Sequence, residues 1–215
     1  MDEKQVAQKE LRDVLTKFKQ KRPLLLVISG PSAVGKDAVI EGLKKCHDLH
    51  TVITTTTRSM RPGESNGNPY YFVSKSKFEK MIENDELLEW AKVYDYYYGV
   101  PREEVNKALY KSETVIIKVD VQGARTIKNL IQDAVFIFLL PSTPAELSRR
   151  LQRRGSMSEE QFGLRLRTVA EELNYISLFD YAVINADNKL DQTISAINSI
   201  ITSEKSRIEP RVIRL

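Results

Sequence analysis

The chain has 215 residues, of which 41% are hydrophobic and 29% are charged, a balance typical of a soluble globular protein. Its net charge of +4 admits anionic small molecules as ligands, and the sequence has no basic stripe interleaved with aromatic residues that would favour nucleic acid. There is no apolar run of membrane-spanning length and no signal peptide, and the single cysteine, Cys46, excludes an internal disulfide. We therefore expect a cytoplasmic protein of one main domain, with neither a membrane nor a nucleic-acid partner.

The first 22 residues are highly charged. Their apolar residues fall close to one helical stripe and are Val6, Leu11, Val14, Leu15 and Phe18. This pattern predicts an amphipathic helix over residues 1–22 that is appended to the domain and lies on it. A membrane-binding or partner-binding helix is the alternative.

The segment from Leu24 to Val39 has the pattern of a strand, a phosphate-binding loop and a helix. An apolar run ends at Gly30, and Gly35 and Lys36 follow at the spacing of the P-loop, G-x-x-x-x-G-K-[ST]. Glycines let the backbone curl so that N–H groups point at a phosphate chain near the positive end of the following helix. Lys36 would reach the outer phosphates. An ordinary turn with this spacing by chance is the alternative. The predicted nucleotide-binding residues are Gly30, Pro31, Ser32, Ala33, Val34, Gly35, Lys36, Asp37 and Ala38.

Asp37 departs from the P-loop pattern, because Ser or Thr normally offers a hydroxyl to Mg²⁺ at this position. A carboxylate is a stronger ligand for a hard cation, but it places a negative charge beside an anionic substrate. Asp37 is therefore a candidate metal ligand.

The next segment combines a strand with two arginines. Residues 51–57 are β-branched and predict one extended strand. Arg58 and Arg61 follow on a turn-rich loop. Guanidinium groups match phosphate oxygens in pairs, so these arginines suit an anionic ligand, although ordinary solvated charge explains them equally well.

A short strand over Tyr70–Val73 and a helix follow. The helix is predicted to begin at a capping box formed by Ser76 and Glu79. Beyond it, Glu89 lies within the apolar run 87–91. A carboxylate flanked in this way lies either on the solvent face of an alternating strand or in the interior, as an acceptor that needs donors.

The second half alternates strands and helices. An apolar strand over Thr114–Asp120 ends in an acid and is followed by a helix near Gly123, as at the second acidic position of P-loop proteins, where Asp holds Mg²⁺ directly or through water. The other predicted elements are a helix over Arg102–Lys111, strands over Ala134–Leu140 and Tyr181–Ile184, a helix capped and started by Ser142-Thr143-Pro144, a helix capped by Ser158 with Gln161, and a last helix over residues 190–203.

Strands separated by helices predict an α/β fold with a three-layer parallel sheet, whose ligands gather at the carboxyl ends of the strands. The segment from residue 58 to residue 100 is too long for a simple crossover, so we expect it to form a small lobe beside the sheet.

The expected chemistry is phosphoryl transfer to an acceptor that is itself a phosphate. The sequence has no catalytic-loop Asp of the protein kinase type to deprotonate a hydroxyl acceptor. A phosphate monoester is mostly dianionic at neutral pH and needs no base. The requirement is then electrostatic, to bring two anions together, and many arginines meet it.

Six segments resemble guanylate kinases in their order and content. They are 30–36 (GPSAVGK), 54–64 (TTTTRSMRPGE), 66–73 (NGNPYYFV), 89–91 (EWA), 97–99 (YYG) and 120–124 (DVQGA). The resemblance covers roughly residues 23–203. It implies transfer of a phosphoryl group from ATP to GMP with Mg²⁺. It also implies a core (23–57 and 101–205), a monophosphate-binding lobe (58–100), a lid (150–168) and a tail (206–215).

The resemblance also implies residue roles. Thr54 and Glu89 would recognise guanine, because a carboxylate can accept from both N1–H and the 2-amino group, a donor pair that adenine lacks. The GMP phosphate would be held by Arg58, Arg61, Tyr70 and Tyr98, with Glu64 and Asp120 completing the GMP-binding set. The catalytic set would be Lys36, Arg58, Arg150, Arg154 and Arg165. Asn185 would contact adenine, and Asp37 and Asp120 would bind the metal. A solvated helix face is the alternative for the lid arginines, and we expect it for Arg149, Arg153 and Arg167.

Besides Asp37, four positions depart from the family pattern. Ala33 replaces a loop glycine, which the backbone tolerates if its φ is negative. Ala38 removes a hydroxyl, Val100 stands where Ser or Thr is usual, and Lys118 stands where an acid usually precedes Asp120 by two. The alternatives are a non-catalytic interaction module, which predicts loss of Lys36 and the lid arginines, and a kinase acting on a ribose phosphate, which predicts a broken set of base contacts. A monomer and a homodimer both remain open.

Overall fold

The computed structural model describes residues 3–19, 22–46, 48–93, 95–153 and 158–215. In chain order its elements are α1 (Glu3–Lys19), β1 (Leu24–Ser29), α2 (Lys36–Cys46), β2 (His50–Thr51), β3 (Thr54–Thr56), β4 (Ser65–Asn66), β5 (Pro69–Phe72), α3 (Lys75–Glu83), β6 (Leu87–Val93), β7 (Tyr96–Pro101), α4 (Arg102–Lys111), β8 (Thr114–Lys118), α5 (Val121–Leu130), β9 (Val135–Leu140), α6 (Pro144–Gln152), α7 (Glu159–Leu173), a 3₁₀ turn (Ile176–Leu178), β10 (Tyr181–Ile184) and α8 (Leu190–Lys205).

The first sheet is parallel throughout and has the order β10-β9-β1-β8-β2. Its central strand β1 is buried at every residue because helices cover both faces. Leu24, Leu26 and Ile28 pack in one core with residues of α2 and α8, whereas Leu25 and Val27 pack in a second core with residues of α4 and α5. The predicted three-layer α/β arrangement is confirmed.

A second, mixed sheet contains strands from residues 54–101 and has the order β4-β5-β3-β7-β6. The prediction of a single strand over residues 51–57 was wrong. His50 and Thr51 pair with β8 in the first sheet, and Thr54–Thr56 belong to the second. β-Branched residues favour strands in any sheet, so their run could not show that the chain changes sheets after Val52.

The helix caps match the sequence in two cases and differ in one. Thr143 caps α6, and Ser158 forms the predicted capping box with Gln161 on α7. The capping box predicted at Ser76 was wrong, because Ser74 caps α3 and its hydroxyl accepts the Lys77 N–H at 3.2 Å. Two serines two residues apart both satisfy the sequence rule, and the helix begins at the earlier one.

The amino-terminal segment forms the helix α1, but the side chains that the structure describes on this helix are not buried against the domain as predicted. Every described side chain over residues 5–16 is exposed, including Leu11 at 60% and Val14 at 52%. An apolar stripe shows that a helix is amphipathic and leaves its partner unspecified. Phe18 lies outside the described side chains. Within the described residues, no helix is long and apolar enough to cross a membrane.

Candidate active site

The loop after β1 has the curled backbone that the P-loop pattern predicts. Gly30 and Gly35 have φ values of +140° and +99°, in the range that side chains rarely adopt. A Cβ at Gly30 would lie 2.5 Å from the carbonyl oxygen of Leu139 on β9, so only glycine fits there. The loop is therefore packed directly on the neighbouring strand.

Ala33 does not meet the condition under which an alanine replaces the loop glycine without cost, since its φ is +65° and not negative. A left-handed conformation costs an alanine about 1–2 kcal/mol. The residue is only 8% exposed and packs in a cluster with Leu147 and Leu151 of α6 and Val169 of α7. Burial of the methyl group offsets part of the backbone cost and links the loop to these two helices.

The carbonyl group of Val34 fixes the orientation of the loop. It accepts hydrogen bonds from Arg150 Nη1 and from Asn185 Nδ2, both at 2.8 Å. In a trans peptide the C=O and the following N–H point in opposite directions. The N–H of Gly35 therefore points away from Arg150 and Asn185.

Arg150 lies in α6 beneath the loop, and its side chain is only 14% exposed. Besides the Val34 carbonyl, it bonds to the Asn185 carbonyl and to Asp187 Oδ1, both at 2.9 Å, and it pairs with Glu146. These bonds favour support of the loop over the direct contact with a transferred phosphoryl group that the resemblance implied. The predicted lid range begins inside this helix.

Asn185 follows β10 and is 5% exposed. Its amide nitrogen bonds to Val34 and its amide oxygen accepts from the Thr193 hydroxyl at 3.1 Å. A Cβ at Gly35 would lie 2.5 Å from the Asn185 amide, so the side chain packs against the loop. The bonds support a role in holding the loop, and the predicted adenine contact stays a prediction.

Lys36 turns back onto the loop that precedes it. Its Nζ donates to the carbonyls of Gly30 at 2.5 Å and Pro31 at 3.1 Å. The pKa of Lys36 is lowered to about 8, mainly by burial and also by Lys118, against the opposing effect of Glu172. A phosphate is a better partner for this ammonium than the two neutral carbonyls, so the site favours an anion.

Glu172 of α7 faces Lys36, and sequence reasoning missed it. Burial raises the pKa of Glu172 against the opposing effect of Lys36. Among the described residues its buried Oε2 has no hydrogen-bond partner. A signal was present, because Arg165 and Glu172 are seven residues apart and share a helix face. Arg165 is half-buried on α7, and Arg154 lies outside the described residues.

The second cluster of candidate residues lies at the end of β3. Arg58 is buried and donates to both oxygens of Glu64, at 3.0 and 2.8 Å. Glu64 also accepts the backbone N–H of Arg61 at 2.7 Å. The hydrogen bonds that Arg58 donates to Glu64 raise the pKa of Arg58. Glu64 thus orients Arg58, whereas the exposed side chain of Arg61 is given no fixed position by this contact.

Tyr70 stands at the centre of this cluster. The Arg58 guanidinium lies 5.6 Å from its ring centre, and the ring of Tyr98 lies 5.8 Å away at an edge-on angle. Thr54, which is nearly buried, pairs with Tyr70 in the register of β3 and β5. The structure therefore brings together Arg58, Tyr70 and Tyr98, as the sequence predicted.

Glu89 is a buried acceptor and not part of a solvent face. The register of β6 and β7 shifts between Leu87 and Glu89, and this bulge leaves three consecutive residues, Leu87, Leu88 and Glu89, buried. Glu89 is 6% exposed, and its buried Oε2 has no hydrogen-bond partner among the described residues. Burial, together with Asp120, raises the pKa of Glu89 to about 8.

The surroundings of Glu89 are partly apolar. Val100 is fully buried and pairs with Glu89 in the sheet, so no hydroxyl is offered at that position. A Cβ at Gly123 would lie 2.8 Å from Glu89 Oε1, so the glycine lets the start of α5 approach the carboxylate. Asp120 caps α5 by accepting the Gly123 N–H at 2.8 Å.

The two departures Asp37 and Lys118 form an ion pair, with Lys118 Nζ 2.5 Å from Asp37 Oδ1. The candidate metal ligands are the two carboxylates Asp37 and Asp120. Mg²⁺ is usually held by one or two carboxylates together with phosphates and water, so this set fits a Mg²⁺ that arrives with a nucleotide. Among the described residues there is no group of three or more acidic, histidine or cysteine side chains that could form a resident metal site.

Comparisons of the sequence and of the structure with known proteins agree on one family. A family model described as guanylate kinase matches residues 20–204. The chain is 45% identical over 191 residues to a guanylate kinase of Caldanaerobacter subterraneus subsp. tengcongensis, covering 88% of this chain and 92% of that one. It is 39% identical to guanylate kinase 2, chloroplastic/mitochondrial, of Oryza sativa subsp. japonica, covering 90% and 69%. A crystal structure of guanylate kinase from Anaplasma phagocytophilum superposes with a TM-score of 0.72 at 27% identity, covering 88% and 89%.

Proposed function

The chain belongs to the guanylate kinase family, and from that premise we propose which of its residues carry the reaction. The protein is a nucleoside monophosphate kinase that transfers the γ-phosphoryl group of ATP to GMP. The observation that carries our assignment of the acceptor site is the buried carboxylate of Glu89, whose Oε2 has no hydrogen-bond partner among the described residues.

Glu89 recognises guanine in this proposal. A buried carboxylate without donors is costly, and guanine offers two adjacent donors, N1–H and the 2-amino group. Only the ionised carboxylate accepts from both, so bound GMP favours the charged form and lowers the pKa of Glu89 from about 8. Adenine lacks this donor pair and leaves the carboxylate unsatisfied. Thr54, two strands away, is the second base contact that we propose.

The GMP phosphate binds at the cluster around Tyr70 in this proposal. Arg58, already oriented by Glu64, supplies a fixed guanidinium, and Arg61, Tyr70 and Tyr98 complete the site. The acceptor phosphate is mostly dianionic at neutral pH, so it attacks without a general base. These residues therefore bind and orient the acceptor.

The P-loop binds the ATP phosphates through its backbone N–H groups and Lys36. Lys36 exchanges the Gly30 and Pro31 carbonyls for phosphate oxygens. Arg165 and Arg154 are the proposed lid cations for the transferred group. Asp37 and Asp120 would hold Mg²⁺, which supplies charge neutralisation across the phosphates when it is bound. The cytoplasmic location stays a prediction.

A panel of acceptors tests the assignment. Production of ADP is measured with ATP, Mg²⁺ and, in turn, GMP, AMP or ribose 5-phosphate, for the wild type and for Glu89→Gln. We expect the variant to lose about a hundredfold in kcat/KM for GMP, with the KM for ATP nearly unchanged, since one charged acceptor of two hydrogen bonds is removed.

Glu103→Gln is the matched control, because Glu103 is an exposed carboxylate on α4 that pairs only with a lysine one turn away in the described contacts. It should change neither constant. A variant Glu89→Gln that keeps the wild-type preference for GMP over AMP would remove Glu89 from base recognition. A wild type that prefers ribose 5-phosphate would refute the GMP site as a whole.

A further inference from the structure

Lys118 and Asp37 are both departures from the family pattern, and they contact each other. Lys118 ends β8, Asp37 lies in the first turn of α2, and their ion pair measures 2.5 Å. The Lys118 side chain is 18% exposed and that of Asp37 is 69% exposed. The family pattern has a hydroxyl residue at position 37 and an acid at position 118. This chain has Asp37 and Lys118 instead, so the pair is neutral overall and its positive charge lies at the end of β8.

The Lys118 ammonium also faces the proposed acceptor phosphate site. Its Nζ lies 3.5 Å from the Tyr70 hydroxyl and 5.2 Å from the centre of the Tyr70 ring. The Arg58 guanidinium contacts the same ring, 5.6 Å from its centre. Lys118 therefore stands between the start of α2, which follows the P-loop, and the cluster around Tyr70.

The hydrogen-bond donors of the Lys118 ammonium indicate which ligand it would bind. A neutral pair of Asp37 and Lys118 leaves the lysine with donors beyond the one that Asp37 takes, because an ammonium has three. Tyr70 is a long contact at 3.5 Å and fills a second donor only weakly. A phosphate oxygen beside Tyr70 would accept a charge-assisted hydrogen bond from it.

We propose that Lys118 is a further phosphate-binding residue, which contacts the phosphate of the acceptor nucleotide, and that Asp37 is the positioning residue that holds it there. This rests on the proposed GMP site. The proposal adds that Lys118, a cation where the family pattern has an acid, draws the acceptor phosphate toward the P-loop.

The test compares GMP with guanosine, which lacks only the phosphate. Dissociation constants are measured by calorimetry on the full chain, without ATP and with a chelator to remove metal. For Lys118→Met we expect GMP affinity to fall about tenfold and guanosine affinity to change less than twofold, the loss typical of one charge-assisted bond. Lys118→Arg, which keeps the charge, should stay within about threefold of the wild type.

The role of Asp37 is tested by a double-mutant cycle. In the Asp37→Asn background, Lys118→Met should cost no more than about threefold in GMP affinity, because the lysine has already lost the carboxylate that orients it. A cost that stays tenfold would show that Asp37 does not position Lys118. Lys107→Met is the control, since Lys107 forms an exposed pair on α4, and it should change neither affinity.

The outcomes separate the two proposals. If the wild type binds GMP no tighter than guanosine, the proposed acceptor phosphate site fails. If the wild type prefers GMP and Lys118→Met leaves both affinities unchanged, or lowers them by the same factor, only the role of Lys118 fails. Should Lys118→Met not fold, Lys118→Gln replaces it, with the same expected loss specific to GMP.

Discussion

The donor and acceptor ends of the site each hold an ionisable group whose pKa burial shifts to about 8, and the two shifts have opposite directions. Burial lowers the pKa of Lys36 and raises that of Glu89. The two differ in their partners. Lys36 donates to two loop carbonyls, whereas Glu89 Oε2 has no partner among the described residues. Lys36 thus has partners within the protein, whereas in our proposal Glu89 gains its hydrogen-bond donors from the substrate.

The polar side chains beneath the P-loop also have partners within the protein. Arg150 and Asn185 both bond to the Val34 carbonyl, and each has further protein partners. Such a buried, satisfied network is rigid, because breaking any bond leaves a polar group unpaired. The loop is therefore held in its phosphate-binding shape before ATP arrives. Binding at the two ends should respond differently to mutation.

The largest expected effect is that of Lys36→Met, which removes the charge from the donor end alone. We expect turnover to fall at least about a thousandfold, because a cation on the transferring phosphates is lost, while the dissociation constant for GMP changes less than twofold. Steady-state kinetics and calorimetry with GMP measure the two quantities. Equal losses in both would contradict the separation of the two ends.

A smaller effect is expected from Arg150→Met. Losing the bonds to Val34 and Asn185 should raise the KM for ATP about tenfold and leave the affinity for GMP unchanged, since the loop loses its fixed orientation. Arg149→Met is the matched control, because Arg149 also faces Asp187, at 3.6 Å, but its side chain is 56% exposed. An equal effect of the two variants would point to the general charge of α6 instead of support of the loop.

The smallest effect is expected from Ala33→Gly. Glycine removes the cost of a left-handed alanine, about 1–2 kcal/mol, but it loses a buried methyl group of about 0.8 kcal/mol and adds chain entropy of about 0.5–1 kcal/mol. The free energy of unfolding should therefore change by less than about 1 kcal/mol, as measured with urea. A loss of more than about 2 kcal/mol would mean that the contacts with Leu147 and Leu151 dominate this position.

Much of this comparison could be predicted from the sequence. The P-loop follows from the spacing of Gly30, Gly35 and Lys36, and the parallel sheet follows from the alternation of apolar strands with helices. The sequence indicated that Glu89 is either a buried acceptor or a surface residue. The β-bulge that decides between the two depends on the pairing of β6 with β7. A single sequence does not record such pairing.

The contacts beneath the P-loop could not be predicted from the sequence for a related reason. Arg150 and Asn185 are 35 residues apart and meet at Val34, more than a hundred residues earlier in the chain. The same residue types fit a direct ligand role, so the family resemblance favoured that role. The Asp37–Lys118 pair was within reach, because two departures of opposite charge lie at positions that parallel strands bring to one edge.

The most direct test of the central claim counts the protons released when GMP binds. At pH 7 a Glu89 with a pKa of about 8 is mostly protonated, and it must ionise to accept two donors from guanine. Calorimetry in two buffers with different ionisation enthalpies should show that the wild type releases more protons than Glu89→Gln, by up to about one proton, with the contribution of the GMP phosphate common to both. Above about pH 7, where the GMP phosphate is already mostly dianionic, the affinity for GMP should rise with pH up to about 8 in the wild type alone. If the two proteins release the same number of protons, Glu89 is not the group that guanine completes, and the account of the acceptor end is wrong.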